Sequence, residues 1–232
     1  MNVSKRLQKV ASFVMAGGVV ADIGCDHGFT SIFLVENGLA KSAIAMDINQ
    51  GPLERAREHI GQYRMQKRIQ VRLSDGLEEL KPGEADTILI SGMGGALISR
   101  ILKDNEDVTK AAKELVLSPQ SEIYLVRQTL HYMGFCIHKE EMVFDQGKYY
   151  VVMRAIPGKE VYSEEEDYLY GKVLIEQKDE VFLSFLHKEN ERVNRIIENL
   201  SKKELSHDAK WKLNKLKKEK VCIEKVYKRM KS

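Results

Sequence analysis

The chain has 232 residues and a mass of 26.5 kDa, with 43% hydrophobic and 31% charged residues, a balance that excludes wholesale disorder. Four prolines and 16 glycines exclude fibrous and low-complexity classes, and three cysteines without a Cys-x-x-Cys pair argue against a disulfide scaffold or a zinc ribbon and fit a reducing cytosol. The net charge of +3 hides an asymmetry: residues 1–158 carry 19 basic and 19 acidic side chains, whereas 202–232 carry 12 basic and four acidic. A localised basic stretch points to a polyanion better than a mildly basic total does. No apolar run approaches the roughly 20 residues of a membrane span, so no membrane association is expected. The N-terminal charges Lys5, Arg6 and Lys9 are not followed by an uninterrupted apolar segment, so no signal peptide is expected.

The first 13 residues predict a helix, with Ser4 as N-cap and Leu7, Val10, Ala11 and Val14 at helical spacing. Residues 19–24 (VVADIG) read as a buried strand stopped by glycine. Residues 30–36 read as a helix ending at Asn37-Gly38. Residues 42–48 (SAIAMDI) are a second strand, and Gly51-Pro52 opens a helix to about Arg64. Strands follow at 69–74, 85–90 and 114–118, with helices at 95–103 and 121–133. Short connections between alternating strands and helices predict a mostly parallel sheet covered on both faces. Two further strands, 135–143 and 149–156, are joined by residues 144–148 as a hairpin, so the last strand runs antiparallel. Tyr149 and Tyr150 are expected to pack within it. After Pro157-Gly158 the composition changes. Leu186, Val193 and Leu200, then Leu216, Ile223 and Met230 past a break near Ser206-His207, recur at heptad-like spacing, with Phe182 and Ile196 alongside. The expected organisation is an α/β, Rossmann-like domain over 1–158, with a seven-stranded sheet, and a helical coiled-coil hairpin over 159–232.

The most informative stretch is 22–28 (DIGCDHG), where the first strand turns into the first helix of the sheet domain. Glycine there permits a sharp bend and close approach to a ligand. In the dinucleotide fingerprint G-x-G-x-x-G the helix N-terminus faces a pyrophosphate. Here the middle position is Asp26, whose charge repels a pyrophosphate and suits a ligand with positive charge, such as a sulfonium or an amino group. The loop therefore reads better for S-adenosylmethionine than for NAD. Asp47, 25 positions after Asp22 at the end of the second strand, suits the ribose hydroxyls of a nucleoside. Ser74-Asp75-Gly76 after the third strand suits an adenine amino group, although a lone Asp-Gly is usually a turn. The sequence 91–95 (SGMGG) is not a P-loop, because no Gly-Lys-[Ser/Thr] follows, and it borders the crevice where open α/β sheets bind ligands. A target base would be held there. Cys25 has no base identifiable beside it and is not read as a nucleophile. His27 reads as a packed residue or a cofactor contact. The remaining histidines have no metal-ligand spacing, and no metal is expected.

The series D-I-G-x-D-H, then Asn49-Gln50-Gly51-Pro52, then S-D-G-L over 74–77, then S-G-M-G-G resembles bacterial tRNA (adenine-N1)-methyltransferases that modify position 22. The resemblance covers the sheet domain, and the helical extension is similar to the coiled-coil appendage of that family. One departure lies in the first loop: the family often continues His-Ala-Tyr-Leu-Pro, and here His27 is followed by Gly28, Phe29, Thr30 and Ser31. Phe29 offers no hydroxyl. The resemblance implies a class I enzyme that moves a methyl group from S-adenosylmethionine to N1 of adenine 22 in tRNA. It implies cofactor binding by Asp22, Gly24, Cys25, Asp26, His27, Asp47, Ile48, Asn49, Asp75, Gly76, Ser91 and Gly92. Asp26 would position rather than transfer a proton. The base would sit against Met93, Gly94 and Phe29, and tRNA phosphates would meet Lys5, Arg6, Lys9, Lys212, Lys215 and Lys218. A cytoplasmic monomer without metal or membrane is expected. Two other classes compete: a non-catalytic RNA-binding or assembly protein with a degenerate Rossmann domain, and an NAD-dependent oxidoreductase. The Asp22, Asp47 and Asp75 series speaks against the first. Asp26 and the terminal hairpin speak against the second.

Overall fold

The structure, a computed structural model, describes residues 1, 3–201 and 207–231. The chain divides into two compact units, Met1–Val161 and Tyr162–Ser232. In the first, a short helix α1 (Lys5–Ala11) is capped by the Ser4 hydroxyl, which accepts from the Leu7 N–H at 3.2 Å. It is shorter than the 13 residues expected. Strand β1 (Gly18–Ile23) follows, then α2 (Phe29–Glu36), β2 (Ala40–Asp47), α3 (Gln50–Gln62), β3 (Ile69–Leu73), β4 (Thr87–Ser91) and α4 (Gly95–Asp104). Helix α5 (Glu106–Ala111), which the sequence pattern did not reveal, leads to β5 (Glu114–Ser118). Helix α6 (Ile123–Tyr132) precedes β6 (Phe135–Asp145) and β7 (Lys148–Pro157).

The seven strands form one sheet in the order β3-β2-β1-β4-β5-β7-β6. Strands β1 to β5 pair in parallel, and β7 is antiparallel to both β5 and β6. The expected mostly parallel seven-stranded sheet with an antiparallel last strand is observed. The hairpin is tighter than the five-residue connection expected. Asp145 pairs with Lys148, so only Gln146 and Gly147 turn the chain, both at positive φ (48° and 82°). A two-residue turn of that hand matches the twist of the flanking strands. Every residue of β5 is buried, as a strand covered on both faces requires. Val20, Ile32, Leu34, Leu53, Leu89, Val116 and Val152 belong to one core that spans the sheet and its helices. Glu114, fully buried at the start of β5, ties three segments together. Its carboxylate accepts from the Met15 N–H (2.7 Å) and the Thr87 hydroxyl (2.7 Å) and pairs with Arg154.

The second unit opens with a π-helical turn (Asp167–Gly171) running into α7 (Lys172–Gln177), then α8 (Glu180–Ser201) and α9 (His207–Lys231). His187 lies against Tyr227, and Arg192 pairs with Glu219, so α8 and α9 run antiparallel. Val193, Leu216 and Ile223 are buried between them, with Ile196 and Leu200 packed alongside. Phe182 and Leu186 are also buried. Of the break expected at 206–207, Ser206 lies outside the described residues. Buried Glu166 and Asp167 are answered by Lys225 (3.3 Å) and Arg229 (2.6 Å) from α9. Among the described residues no helix is long and apolar enough to cross a membrane.

Candidate active site

The turn from β1 to α2 is held by backbone. The N–H groups of Gly24 and Cys25 both donate to the Met46 carbonyl of β2, at 2.8 and 2.9 Å. Gly24 sits at φ 72°, a conformation that favours glycine, and a Cβ there would fall 2.3 Å from Met93 Cε, so any larger residue would be strained and would displace the tip of that methionine. Asp26 also adopts a left-handed conformation (φ 48°), a strained choice for a residue with a Cβ. Its carboxylate is largely exposed, 3.4 Å from His27 Nε2 and 3.6 Å from Arg55. Asp22 is the opposite case. It is buried, accepts a hydrogen bond from the Ser31 hydroxyl at 2.8 Å, and burial pushes its carboxyl up to about 6, with the Asp47 charge adding to the effect. The Cys25 thiol is pushed up by burial and by the surrounding carboxylates. A raised thiol pKa disfavours the thiolate, the form in which a cysteine attacks.

Asp47 closes β2 with both carboxylate oxygens directed at backbone. One accepts from the Asp26 N–H at 3.3 Å and the other from the Asn49 N–H at 2.9 Å. The strand end and the glycine turn are thereby fixed to each other. Ile48 beside it is 57% exposed, an apolar surface left open at the strand end. After β3 the Ser74 hydroxyl is turned inward, donating to the Gly76 carbonyl (3.0 Å) and accepting from the Glu79 N–H (3.2 Å), while Asp75 stays exposed. After β4, Gly92 is at φ 92°, and Gly94 caps α4. A Cβ on Gly95 would meet the Glu122 carbonyl at 2.5 Å, so the run of glycines lets the loop after β5 lie directly on α4.

The ends of β1 and β4, with α1, the start of α2 and the loop after β5, line a cavity of about 350 Å³. Of the expected residues, Asp22, Gly24, Cys25, Asp26, His27, Phe29, Ser91 and Gly92 line it. Asp47, Ile48, Asn49, Asp75 and Gly76 lie at the neighbouring strand ends outside its lining. Met93 reaches back to Gly24 without lining the cavity, and Gly94 sits against Ser121. Phe29 belongs to a cluster of three rings, 5.7 Å from the His27 ring and stacked on His59 at 4.6 Å. Leu7, Thr30 and Gln120 line the cavity without having been legible in the sequence. Thr30 is the second residue of α2, two positions after Gly28. Leu7 and Gln120 come from distant segments and carry no local motif.

The basic residues divide. Lys5 is exposed, as are Lys212, Lys215 and Lys218 on α9. Lys215 lies over the ring of Trp211, itself 64% exposed. Arg6 and Lys9, expected to meet tRNA phosphates, have partners within the chain. Lys9 is paired with Glu141, and the Arg6 guanidinium turns into the cavity, donating to the Ser91 hydroxyl at 3.0 Å and lying over Tyr150. The folding of β6 and β7 against α1 supplies these partners, which no local sequence pattern announces.

Residues 3–153 match the family model of a methyltransferase domain. The chain is 35% identical over 221 residues to the tRNA (adenine(22)-N(1))-methyltransferase of Bacillus subtilis, covering 93% of each. It belongs to the tRNA (adenine(22)-N(1))-methyltransferase family. Among solved structures, a Streptococcus pneumoniae protein in complex with S-adenosyl-L-methionine is 31% identical, with a TM-score of 0.87 over 97% of this chain and 99% of that one. The M. capricolum protein TrmK, in complex with S-adenosyl-homocysteine, is 25% identical with a TM-score of 0.84 over 98% and 99%. The family membership extends over both compact units, since these matches run nearly end to end.

Proposed function

We propose that this chain transfers a methyl group from S-adenosylmethionine to N1 of adenine 22 in tRNA. The observation that carries the reading is the cavity at the strand ends, framed by two glycines at positive φ and two carboxylates, in a chain 35% identical to an enzyme named for that reaction. The residues present fit the cofactor. Gly24 and Gly92 leave the backbone bare where a ligand approaches. Asp47 stands at the end of β2, where a carboxylate accepts ribose hydroxyls. Ile48 offers the adenine an apolar face, and Ser74 and Gly76 shape the turn on which Asp75 meets its amino group. When bound, S-adenosylmethionine supplies a methyl group on a sulfonium, which is an electrophile without further activation.

The chain's own task is then placement. Adenine N1 carries a free lone pair at neutral pH, so no side chain needs to remove a proton from it before attack. Holding N1 in line with the methyl group is worth roughly 7–11 kcal/mol in favourable cases. Phe29, stacked on His59, gives the extruded base a flat surface, and Met93 and Gly94 border it from the β4 side. Asp26 keeps a negative charge beside the reacting centre, where it favours the positive charge that the methylated ring acquires. The base must leave its stack, at a cost of a few kcal/mol. Lys5, Lys212, Lys215 and Lys218 offset that cost through phosphates. In this reading the sheet unit binds cofactor and base, the helical unit binds tRNA, and the enzyme works as a cytoplasmic monomer.

The decisive experiment uses an unmodified tRNA transcript, S-adenosylmethionine and the purified chain, with 1-methyladenosine read by mass spectrometry. One methyl group per tRNA is expected, and none on a transcript carrying guanosine at position 22. Methylation of both transcripts, or of neither, overturns the reading.

A further inference from the structure

Arg6 is the one permanent cation among the described residues that line the cavity; the carboxylates there are Asp22 and Asp26. Three contacts hold the residue, one through its backbone and two through the guanidinium. The Arg6 backbone N–H donates to the Asp145 carboxylate at 3.0 Å, which fixes the start of α1 on the β6–β7 hairpin. The planar head lies 5.0 Å from the centroid of the Tyr150 ring. Its Nη2 donates to Ser91 Oγ at 3.0 Å. A Cβ on Gly92 would stand 3.0 Å from that same Nη2, so the glycine leaves the guanidinium its room. An arginine presents five donors in a rigid fork, and the Ser91 contact uses one of them, so an edge remains for a planar acceptor.

The charges on the wall match one end of the proposed cofactor. At neutral pH its methionine part carries a sulfonium, an ammonium and a carboxylate, two positive charges and one negative. Two carboxylates and one guanidinium are the complement of that set. We infer that Arg6 binds the carboxylate of the cofactor's amino-acid end, forming a bidentate pair of the kind that arginine makes with carboxylates. The inference rests on the cofactor reading above and assigns to Arg6 a role in cofactor binding in place of a phosphate contact. Ser91 acts through Arg6 as a positioning residue, and Tyr150 shields the ion pair on one face.

The test is calorimetric and needs no turnover. S-adenosylhomocysteine and its carboxamide, in which the carboxylate becomes a neutral amide, are titrated into the full chain and into Arg6→Met. The wild-type chain should bind the carboxamide more weakly than the acid by about tenfold or more, the worth of a charge-assisted pair. Arg6→Met should lose that discrimination, binding both ligands alike at the weaker level, while its affinity for tRNA is unchanged. Arg6→Lys should keep part of the preference for the acid, since it keeps the charge without the fork. Equal binding of the two ligands by the wild-type chain overturns the inference while leaving the cofactor reading intact. So does an Arg6→Met variant that retains the preference for the acid, or one that loses tRNA affinity in place of cofactor affinity. A wild-type chain that binds neither ligand overturns the cofactor reading itself and the inference with it. The comparison of ligands on the unmutated chain keeps the test independent of whether Arg6→Met folds.

Discussion

Three residues at the strand ends have different work. Asp47 is held by two backbone N–H groups, so its position does not depend on the ligand. Replacing it with alanine should weaken S-adenosylhomocysteine binding by about 1–3 kcal/mol, because ribose hydroxyls lose a charged acceptor and the turn at Asp26 loses an anchor. Calorimetry checks this, and unchanged affinity would remove Asp47 from the site. Asp22 has a folded-state pKa raised to about 6 from an ordinary value of 3.8, chiefly by burial. A raised carboxyl binds its proton more tightly in the folded chain. Its contribution to stability is therefore full below about pH 4 and is lost as pH rises through 6. Asp22→Asn should flatten that part of the stability profile, and raise stability at neutral pH, in urea titrations between pH 4 and 7. Binding has the opposite sense. A cationic ligand favours the carboxylate, so wild-type affinity for the cofactor should climb between pH 5 and 7, and the climb should shrink in Asp22→Asn. At Gly24 a methyl group would collide with Met93 Cε, and the φ of 72° would add strain. Gly24→Ala should cost both stability and ligand affinity, about 1–3 kcal/mol in stability by thermal or urea unfolding.

At the scale of elements, the glycine turn, the parallel strands and the final hairpin were legible in the sequence because each leaves a local mark. An apolar β-branched run stopped by glycine encodes a buried strand within six residues. Helix α5 left no such mark, since six residues with one fully buried side chain, Thr109, show no periodicity. The π-helical turn at Asp167–Gly171 was likewise hidden. It depends on ion pairs to Lys225 and Arg229, more than 55 positions away. The same reason applies to Arg6: its partners Asp145, Ser91 and Tyr150 come together only when the sheet closes. A further long-range pair has the same origin. Arg127 of α6 donates through Nε and Nη2 to one oxygen of Glu140 on β6, at 3.0 and 2.7 Å, both side chains being buried. Burial pushes the Glu140 carboxyl up and the guanidinium pulls against it. Removing Glu140 takes away the carboxylate that faces a buried guanidinium, so Glu140→Ala should cost about 3–5 kcal/mol in urea unfolding. The double replacement Arg127→Met with Glu140→Leu should recover much of that loss. A double variant as unstable as the single would show that the pair contributes more than mutual neutralisation.

For the whole molecule, affinity for tRNA should fall linearly on a log–log plot against salt, with a slope set by the number of phosphates neutralised. A flat dependence, measured by filter binding, would contradict phosphate-led recognition. The place to cut the chain is also defined. The Glu160 carboxylate accepts from the Ile137 N–H at 3.0 Å and lies 3.2 Å from His131. A fragment ending at Val161 should therefore fold and bind S-adenosylhomocysteine, whereas one ending at Gly158 should be less stable by about 1–2 kcal/mol. Neither should hold tRNA as the full chain does, and equal tRNA affinity would make the helical unit an assembly device. The sheet order has a consequence for synthesis. Strand β7 is the last of the seven to be made, yet it lies between β5 and β6. Until residue 157 has been delivered, β5 has an open outer edge of apolar sequence, a template for pairing with another chain. At 5–20 residues per second the 39 positions from Ser118 to Pro157 occupy about 2–8 seconds. Residues 162–232 are made after β7, so the sheet has all its strands in the chain before the helical unit is complete.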